Sequence, residues 1–352
     1  MGEGEGGEAP PRGTTTLAQV ARHVGVSLNT VSRALRAPDT VRPELRRRIG
    51  AALDELNYLP NRLAGSLAGT RSDLVGVVVS SLFHSEFAAV VEALQTRLLD
   101  RGLQVMLGHS HYDPARERGA VRALLGWRPV AMALVGIDQH PDVTRLLRDA
   151  GIPVVQMWDV GGTPIDSAVG MDHVAIGRAQ ATHLASRGYR RLAVLGSLRQ
   201  HDARARKRCR GVVEAALAAG LDPPVLATRQ EPGHPDLGDA LVRDLLARHP
   251  EVDAIACNGD AVAFGVLRGL RAMGRRVPDE IGVVGLGDAE AAACMRPALS
   301  TVRPPRDAMG RQTAEILLDR LDGGAPQCRA LDWALVPRAS THRPAADEGP
   351  SG

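Results

Sequence analysis

The chain has 352 residues, 44% of them hydrophobic, 24% charged and 3% aromatic, with a formal charge of +3 and four cysteines. That length provides two or three domains, and the apolar fraction builds a core that needs no disulfide or metal staples. Cys209, Cys257, Cys294 and Cys328 lie far apart with no C-x-x-C spacing, against a zinc site or a disulfide framework and in keeping with a reducing cytoplasm. No apolar run reaches the ~18 residues a membrane helix requires. The Gly- and Glu-rich start does not read as a secretion signal, so a cytoplasmic, nucleoid-associated protein is the expectation.

The charge is uneven along the chain. Between residues 12 and 71, ten arginines face four carboxylates, a net +6, while the stretch before it carries Glu3, Glu5 and Glu8. A basic head on a neutral body points to a polyanion partner for the head alone. Residues 1–13 read as a disordered leader. Residues 14–60 read as three helices. Thr15 or Thr16 caps the first, with Leu17, Val20, Ala21 and Val24 on one face until Gly25 breaks it. Ser27 caps the second, Leu28 to Leu35, which is expected to bury Val31, Ala34 and Leu35. Pro43 opens the third, with Leu45, Ile49, Ala52, Leu53 and Leu56 closing a three-helix core. Pro60 ends it, and Asn61 begins a short segment and linker over 61–72.

From residue 74 short β-branched runs alternate with helices. Strands are expected at Leu74–Val79, Leu103–Leu107, Ala131–Val135 and Pro153–Met157. After a helix from about Val174, further strands follow at Arg191–Leu195, Val225–Ala227, Ala254–Cys257 and Ile281–Val284. Helices fall between them, one of them predicted over Arg208–Ala219. Strand–helix alternation with continuous apolar strands means parallel sheets covered on both faces, here in two lobes over 73–343. Residues 344–352 read as a disordered tail, with no heptad pattern for a tetramer-forming coiled coil.

The most informative stretch runs from Thr16 to Leu35, two short helices around a Gly-containing turn. The second helix of such a unit offers its first residues to base edges in the major groove. Asn29 and Arg33 suit bidentate contact with adenine and guanine, and Leu28 stands beside them. Thr16, Ser27, Thr30 and Ser32 can bond phosphates, which orient the helix without reading sequence. An ordinary helical hairpin is the alternative.

With Val41-Arg-Pro-Glu44, Ala51 to Arg62 and Ala64-Gly-Ser-Leu-Ala68, this stretch resembles the lactose-repressor family of transcriptional regulators, over about residues 14–343. The resemblance implies an α helix-turn-helix head and an α/β core similar to periplasmic sugar-binding proteins, with two parallel-sheet lobes, three crossings between them and a ligand in the cleft. It implies a hinge helix that folds on double-stranded operator DNA, with Asn61, Arg62 and Ala64 at the DNA and Leu67 wedged into the minor groove. Core packing is the other reading of Leu67, and Gly65 should cost such a helix about 1 kcal/mol. Landmarks from Leu35-Arg-Ala-Pro-Asp39 through Asp166–Asp172 to Pro305–Gly310 are similar to the gluconate-operon branch of the family. The partners implied are an inverted-repeat operator, a small sugar or sugar-acid effector and a second copy in a homodimer through helices near Phe87–Arg101 and Arg268–Met273.

Family ligand positions carry over singly. Arg208, three residues before Gly211, matches the effector arginine, whose forked donors suit a carboxylate or vicinal hydroxyls. A surface arginine among Arg204, Arg206 and Arg210 is the alternative. Asp159 matches a hydroxyl-accepting aspartate or is a helix cap. Ser80 and Ser81 follow the first core strand. His84, His109 and Tyr112 are further contacts, and Trp158 is either a stacking face or core. Two family polar positions fall on Gly259 and Gly287, leaving Asp260 and Asp288 as the polar groups beside them. Enzyme signals are poor. There is no Walker loop, nucleophile elbow or metal-spaced cluster, and Gly285-Leu-Gly287 lacks the third glycine of a dinucleotide site. The expectation is a regulator with no enzymatic activity, cofactor or metal. A sugar-binding module with an inert head and a sugar-phosphate enzyme are the rivals.

Overall fold

A computed structural model describes residues 15–58, 72–82 and 85–343. The hinge residues Asn61, Arg62, Ala64 and Leu67, the leader, the tail and His84 lie outside the described residues. The chain divides into two compact units between Arg71 and Ser72.

The first unit holds α1 (Leu17–Val24), α2 (Leu28–Arg36) and α3 (Pro43–Glu55), with a short 3₁₀ turn at Pro38–Thr40. Thr16 and Gln19 form a reciprocal cap. The Gln19 amide donates to Thr16 Oγ1 at 3.3 Å, and the Thr16 amide to Gln19 Oε1 at 2.6 Å. Gly25 ends α1 at φ +74°, and Ser27 Oγ accepts the Thr30 amide at 3.1 Å to start α2. Val20, Val24, Val31, Ala34, Ile49 and Ala52 form the core. Thr15 Oγ1 donates to the Leu56 carbonyl at 2.8 Å, tying the two ends of the unit together. Leu35 is not in that core but 36% exposed. The inward face of α2 is set by Val31 and Ala34, and one further residue turns ~100° away from Ala34.

The second unit contains two sheets of the same design. The first has β1 (Leu74–Val79), β2 (Gln104–His109), β3 (Ala131–Val135), β4 (Val154–Asp159) and β5 (Ser167–Met171), in the order β2-β1-β3-β4-β5. The second has β6 (Leu192–Ser197), β7 (Val225–Arg229), β8 (Ala254–Cys257), β9 (Gly282–Leu286) and β10 (Ser300–Arg303), in the order β7-β6-β8-β9-β10. These strands pair in parallel, as in the registers Val75↔Val105 and Val75↔Ala131. The runs β1, β3 and β4 are apolar and almost wholly buried because helices cover both faces. The outer strands β2 and β7 are only partly covered, leaving Leu107 and Leu226 exposed.

Two short strands, β11 (Cys328–Ala330) and β12 (Ala334–Val336), add parallel to β5 and antiparallel to β10. The chain therefore passes between lobes three times: after Met171, after Arg303 and after Ala330. This is the number the resemblance implied. Strands β5 and β10 escaped the sequence pattern because Ser, Gly, Thr and Arg interrupt their apolar runs, and β11 and β12 because they have only three residues each. So did the long helix Arg306–Leu321. Its buried residues Met309, Thr313, Ala314, Ile316, Leu317 and Leu318 spread round the helix instead of forming one narrow stripe.

The helices that follow β1, β2 and β3 in the first lobe are α4 (Ser85–Leu99), α5 (Pro114–Gly126) and α6 (Pro141–Ala150), and the second lobe opens with α7 (His173–Ser186) and α8 (Ala203–Ala218). Helix α8 starts five residues before Arg208, where its predicted start lay. Asp202 caps it, with Oδ1 accepting the Ala205 amide at 3.0 Å. Arg204 and Arg208 are therefore one turn apart on a single face.

Candidate functional site

On the head, α2 presents Leu28, Asn29 and Arg33 to solvent, while Thr30 and Ser32 are half-buried. Leu28 is 49% exposed, an apolar side chain in the first turn of a helix that spends its opposite face on the core. Thr16 and Ser27 serve as caps, and the Thr30 hydroxyl bonds that of Ser27 at the start of α2.

In the core, the order of strands reverses between β1 and β3 and again between β6 and β8. Ligand crevices open at such points, beyond the C-terminal ends of the strands. A cleft of about 620 Å³ lies there, lined by both lobes. Ser81, His109 and Tyr112 enter from the C-terminal ends of β1 and β2 and the turns beyond them, Trp158 from β4, Arg204 and Arg208 from α8, and Asp260 from the first turn of the helix after β8. These include five of the predicted site residues.

Arg208 is 8% exposed and held from two sides. Its Nη1 donates to His173 Nδ1 at 3.0 Å, and its Nη2 reaches the Asn258 carbonyl at 3.5 Å. Burial lowers its pKa from the ordinary value, with Arg204 adding repulsion. Arg204, 9% exposed, donates from Nη2 to Ser80 Oγ at 3.0 Å and lies 5.9 Å from the Phe87 and Tyr112 ring centres. Desolvation pushes the Tyr112 hydroxyl up to about 12, so it stays protonated as a donor. Neither guanidinium has an ion-pair partner among the described residues.

Trp158 adds an indole N–H to this wall. It sits at φ +77°, unusual for a bulky residue, and turns its indole into the cleft edge-on to Phe87 at 5.1 Å. Gly170 on the neighbouring strand allows this, since a Cβ there would lie 2.2 Å from the Asp159 amide nitrogen. Trp158 is therefore both packed and cleft-lining.

Several expectations need correction. Asp159 does not line the cleft. The same backbone turn buries it completely, and its Oδ2 takes Lys207 Nζ at 2.6 Å while Oδ1 takes the Gly161 amide at 2.8 Å. Asp288 also lies off the cleft, bonded to Arg303 and, at 2.6 Å, to Arg338 Nη2. It braces the loop after β9 and does not replace the polar group missing at Gly287. Ser80 faces Arg204 and a smaller adjoining cavity of about 140 Å³. Asp260 reaches the cleft wall, but Thr301 Oγ1 donates to it at 2.7 Å and the Ala289 amide at 2.9 Å.

Burial raises the Asp260 carboxyl from an ordinary 3.8 to about 6. A carboxyl with a raised folded pKa binds more protons folded than unfolded, so its contribution to stability falls as pH rises from about 4 to 6. Asp260→Asn should flatten the melting temperature over that window. An unchanged pH dependence would assign the shift elsewhere.

His173, Arg204 and Phe87 were missed as cleft residues. The i, i+4 spacing of Arg204 and Arg208 was a usable signal, lost because the helix was started too late. No local pattern marks His173, which arrives by way of the crossing between lobes.

Among the described residues no His, Cys, Asp and Glu cluster could hold a metal, and no helix is long and apolar enough to cross a membrane. The profile for bacterial regulatory proteins, lacI family, matches residues 16–61, and that for a periplasmic binding protein-like domain matches residues 181–341. The HTH-type transcriptional regulator GntR of Pseudomonas aeruginosa is 37% identical, covering 94% of this chain and 96% of its own. A LacI-family transcriptional regulator from Silicibacter pomeroyi superposes with a TM-score of 0.87 at 32% identity, over 94% of this chain and 100% of that one. The lac repressor dimer bound to operator and an anti-inducer superposes with a TM-score of 0.82 at 27% identity, over 94% and 99%.

Proposed function

Because the chain belongs to the LacI family of bacterial regulatory proteins and is a DNA-binding transcriptional regulator, we propose that it is a homodimeric repressor of an inverted-repeat operator, released by a sugar acid of the gluconate type. Two-fold protein symmetry calls for two-fold site symmetry, and the lac repressor likeness supports this arrangement. Asn29 and Arg33 read base edges, Leu28 contacts the groove, and Thr16, Thr30 and Ser32 set the helix against phosphates. Asn61, Arg62, Ala64 and Leu67 complete the DNA contact through the hinge segment.

One observation carries the effector reading. Trp158 Nε1, Arg204 Nη1 and Arg208 Nε are buried without a hydrogen-bond partner, and all three residues line the cleft. Each unsatisfied donor costs about 1–3 kcal/mol. These nitrogens have almost no accessible surface, so a ligand meets them as side chains and lobes adjust around it; one rich in acceptors then removes that cost, and two buried guanidiniums favour one that carries negative charge. An aldonic acid has a carboxylate and a row of hydroxyls. Ser81, His109, Tyr112 and Asp260 stand within the same wall to meet the hydroxyls. The gluconate-operon resemblance and the GntR relative favour gluconate itself.

Control of DNA binding follows from linkage: a ligand that grips one arrangement of the lobes better than another shifts the population, and operator affinity with it. The test is binding of the intact protein to palindromic and scrambled duplexes, with and without gluconate. Arg33→Ala should weaken the specific complex by about 1–3 kcal/mol and leave nonspecific binding nearly unchanged. A protein that prefers no palindrome, or a specific complex indifferent to every sugar acid offered, overturns the proposal.

A further inference from the structure

We infer that His173 is the positioning residue of the effector arginine, an imidazole at the first crossing between lobes that aims Arg208 into the cleft. The inference rests on Arg208 being an effector contact, as proposed above. His173 is 2% exposed and follows Asp172, which caps α7 where the chain leaves the first sheet and enters the second lobe. Its ring bonds in both directions. Nε2 lies 2.8 Å from the Trp158 carbonyl oxygen, at the end of β4, and Nδ1 lies 3.0 Å from Arg208 Nη1 on α8.

The chemistry of the partners determines the tautomer. A carbonyl oxygen only accepts, so Nε2 carries the hydrogen. A guanidinium only donates, so Nδ1 offers its lone pair. Only the neutral ring with hydrogen on Nε2 satisfies both contacts. Burial, with Arg208, Arg204 and Lys207 nearby, holds the imidazole pKa well below 6.5 and keeps that form. A protonated ring would turn a second N–H toward the guanidinium.

The consequence falls on the direction of Arg208. With Nη1 on His173 and Nη2 on the Asn258 carbonyl, the guanidinium plane is held at two of its three nitrogens, leaving Nε–H without a protein partner. A preoriented donor loses less freedom when the effector arrives than a free arginine does. His173 thus acts on the ligand through Arg208, and its bond to Trp158 ties that orientation to the first lobe.

The test uses the full chain, with gluconate as probe by calorimetry and operator affinity by fluorescence anisotropy. His173→Ala should weaken gluconate binding about tenfold or more, since a bond orienting a charged group is removed. Operator affinity without gluconate should stay close to wild type, while the melting temperature falls by several degrees because the buried Trp158 carbonyl and Arg208 Nη1 lose their partner. His173→Gln offers an amide oxygen to Arg208 and an amide N–H to the Trp158 carbonyl, and should recover most of the loss. In an Arg208→Gln background, His173→Ala should cost nothing further.

Wild-type affinity in His173→Ala overturns the inference. So does a glutamine variant that is folded yet as weak as alanine, or an undiminished His173→Ala loss in the Arg208→Gln background. A wild-type protein that takes up no sugar acid overturns the effector reading, and this inference with it. Gluconate binding that depends on Arg208 and not on His173 sinks this inference alone.

Discussion

Gly211→Ala should lower the stability of the core by about 3 kcal/mol, read as a fall in melting temperature of roughly 6–9 °C. The cause is the crossing of α7 and α8. A Cβ on Gly211 would lie 2.1 Å from the Val174 carbonyl oxygen, and one on Gly177 would lie 2.0 Å from the Arg208 carbonyl oxygen. Both obstructions are backbone atoms, which cannot rotate aside, so the helices must move apart. That separation loosens the layer formed by Ala181, Leu184, Cys209, Val212 and Ala216. It also shifts Arg208, so gluconate affinity should fall with stability. Gly119→Ala provides the contrast: nothing lies within 4 Å of a Cβ there, and the exposed helix position should gain up to about 1 kcal/mol. A Gly211→Ala protein that melts within 2–3 °C of wild type (about 1 kcal/mol) would show that the two helices do not meet this closely.

Arg208→Ala should reduce sugar-acid affinity by about a hundredfold, with operator binding in the absence of effector almost untouched. A charge-assisted hydrogen bond contributes about 1.5–3 kcal/mol, and Arg208 brings both a free Nε donor and its charge to a wall with no carboxylate paired to it among the described residues. The loss is bounded by compensation. Arg204 retains its own unpartnered nitrogen in the same cleft, and removing one of two repelling cations relieves the other. Calorimetry on the variant measures the first effect and gel shift the second. Full affinity would remove Arg208 from the effector site. An equal loss of operator binding would make it a structural residue.

The head was legible because its determinants are local. Thr16, Gly25, Ser27 and Pro43 act on their own turns through capping hydroxyls, a left-handed φ and a missing N–H. The spacing Val20–Val24 and Val31–Ala34 names the buried side, and the opposite side of α2 follows from it. Leu35 was misplaced because a two-helix stripe does not say where a third helix stops covering it.

In the core, the alternation of apolar strands and helices determined the class: such strands hide both faces, and only flanking helices can hide them. The chemistry of the site followed less directly. Arg208 could be named from its resemblance, and its neighbour Arg204 from spacing once the helix start was known. Asp159 and Asp288 could not be judged along the chain. Their carboxylates are turned to Lys207, Arg303 and Arg338, the last of which lies fifty residues beyond Asp288.

The sequence by itself therefore determined the helices, their caps, the basic head and the two-lobe class, because these depend on neighbours within a turn or on which face must leave water. Tertiary structure alone decided which polar groups face the cleft. That choice depends on a positive φ at Trp158, on glycines that let backbones touch and on a histidine carried between lobes, all contacts between residues far apart in the chain.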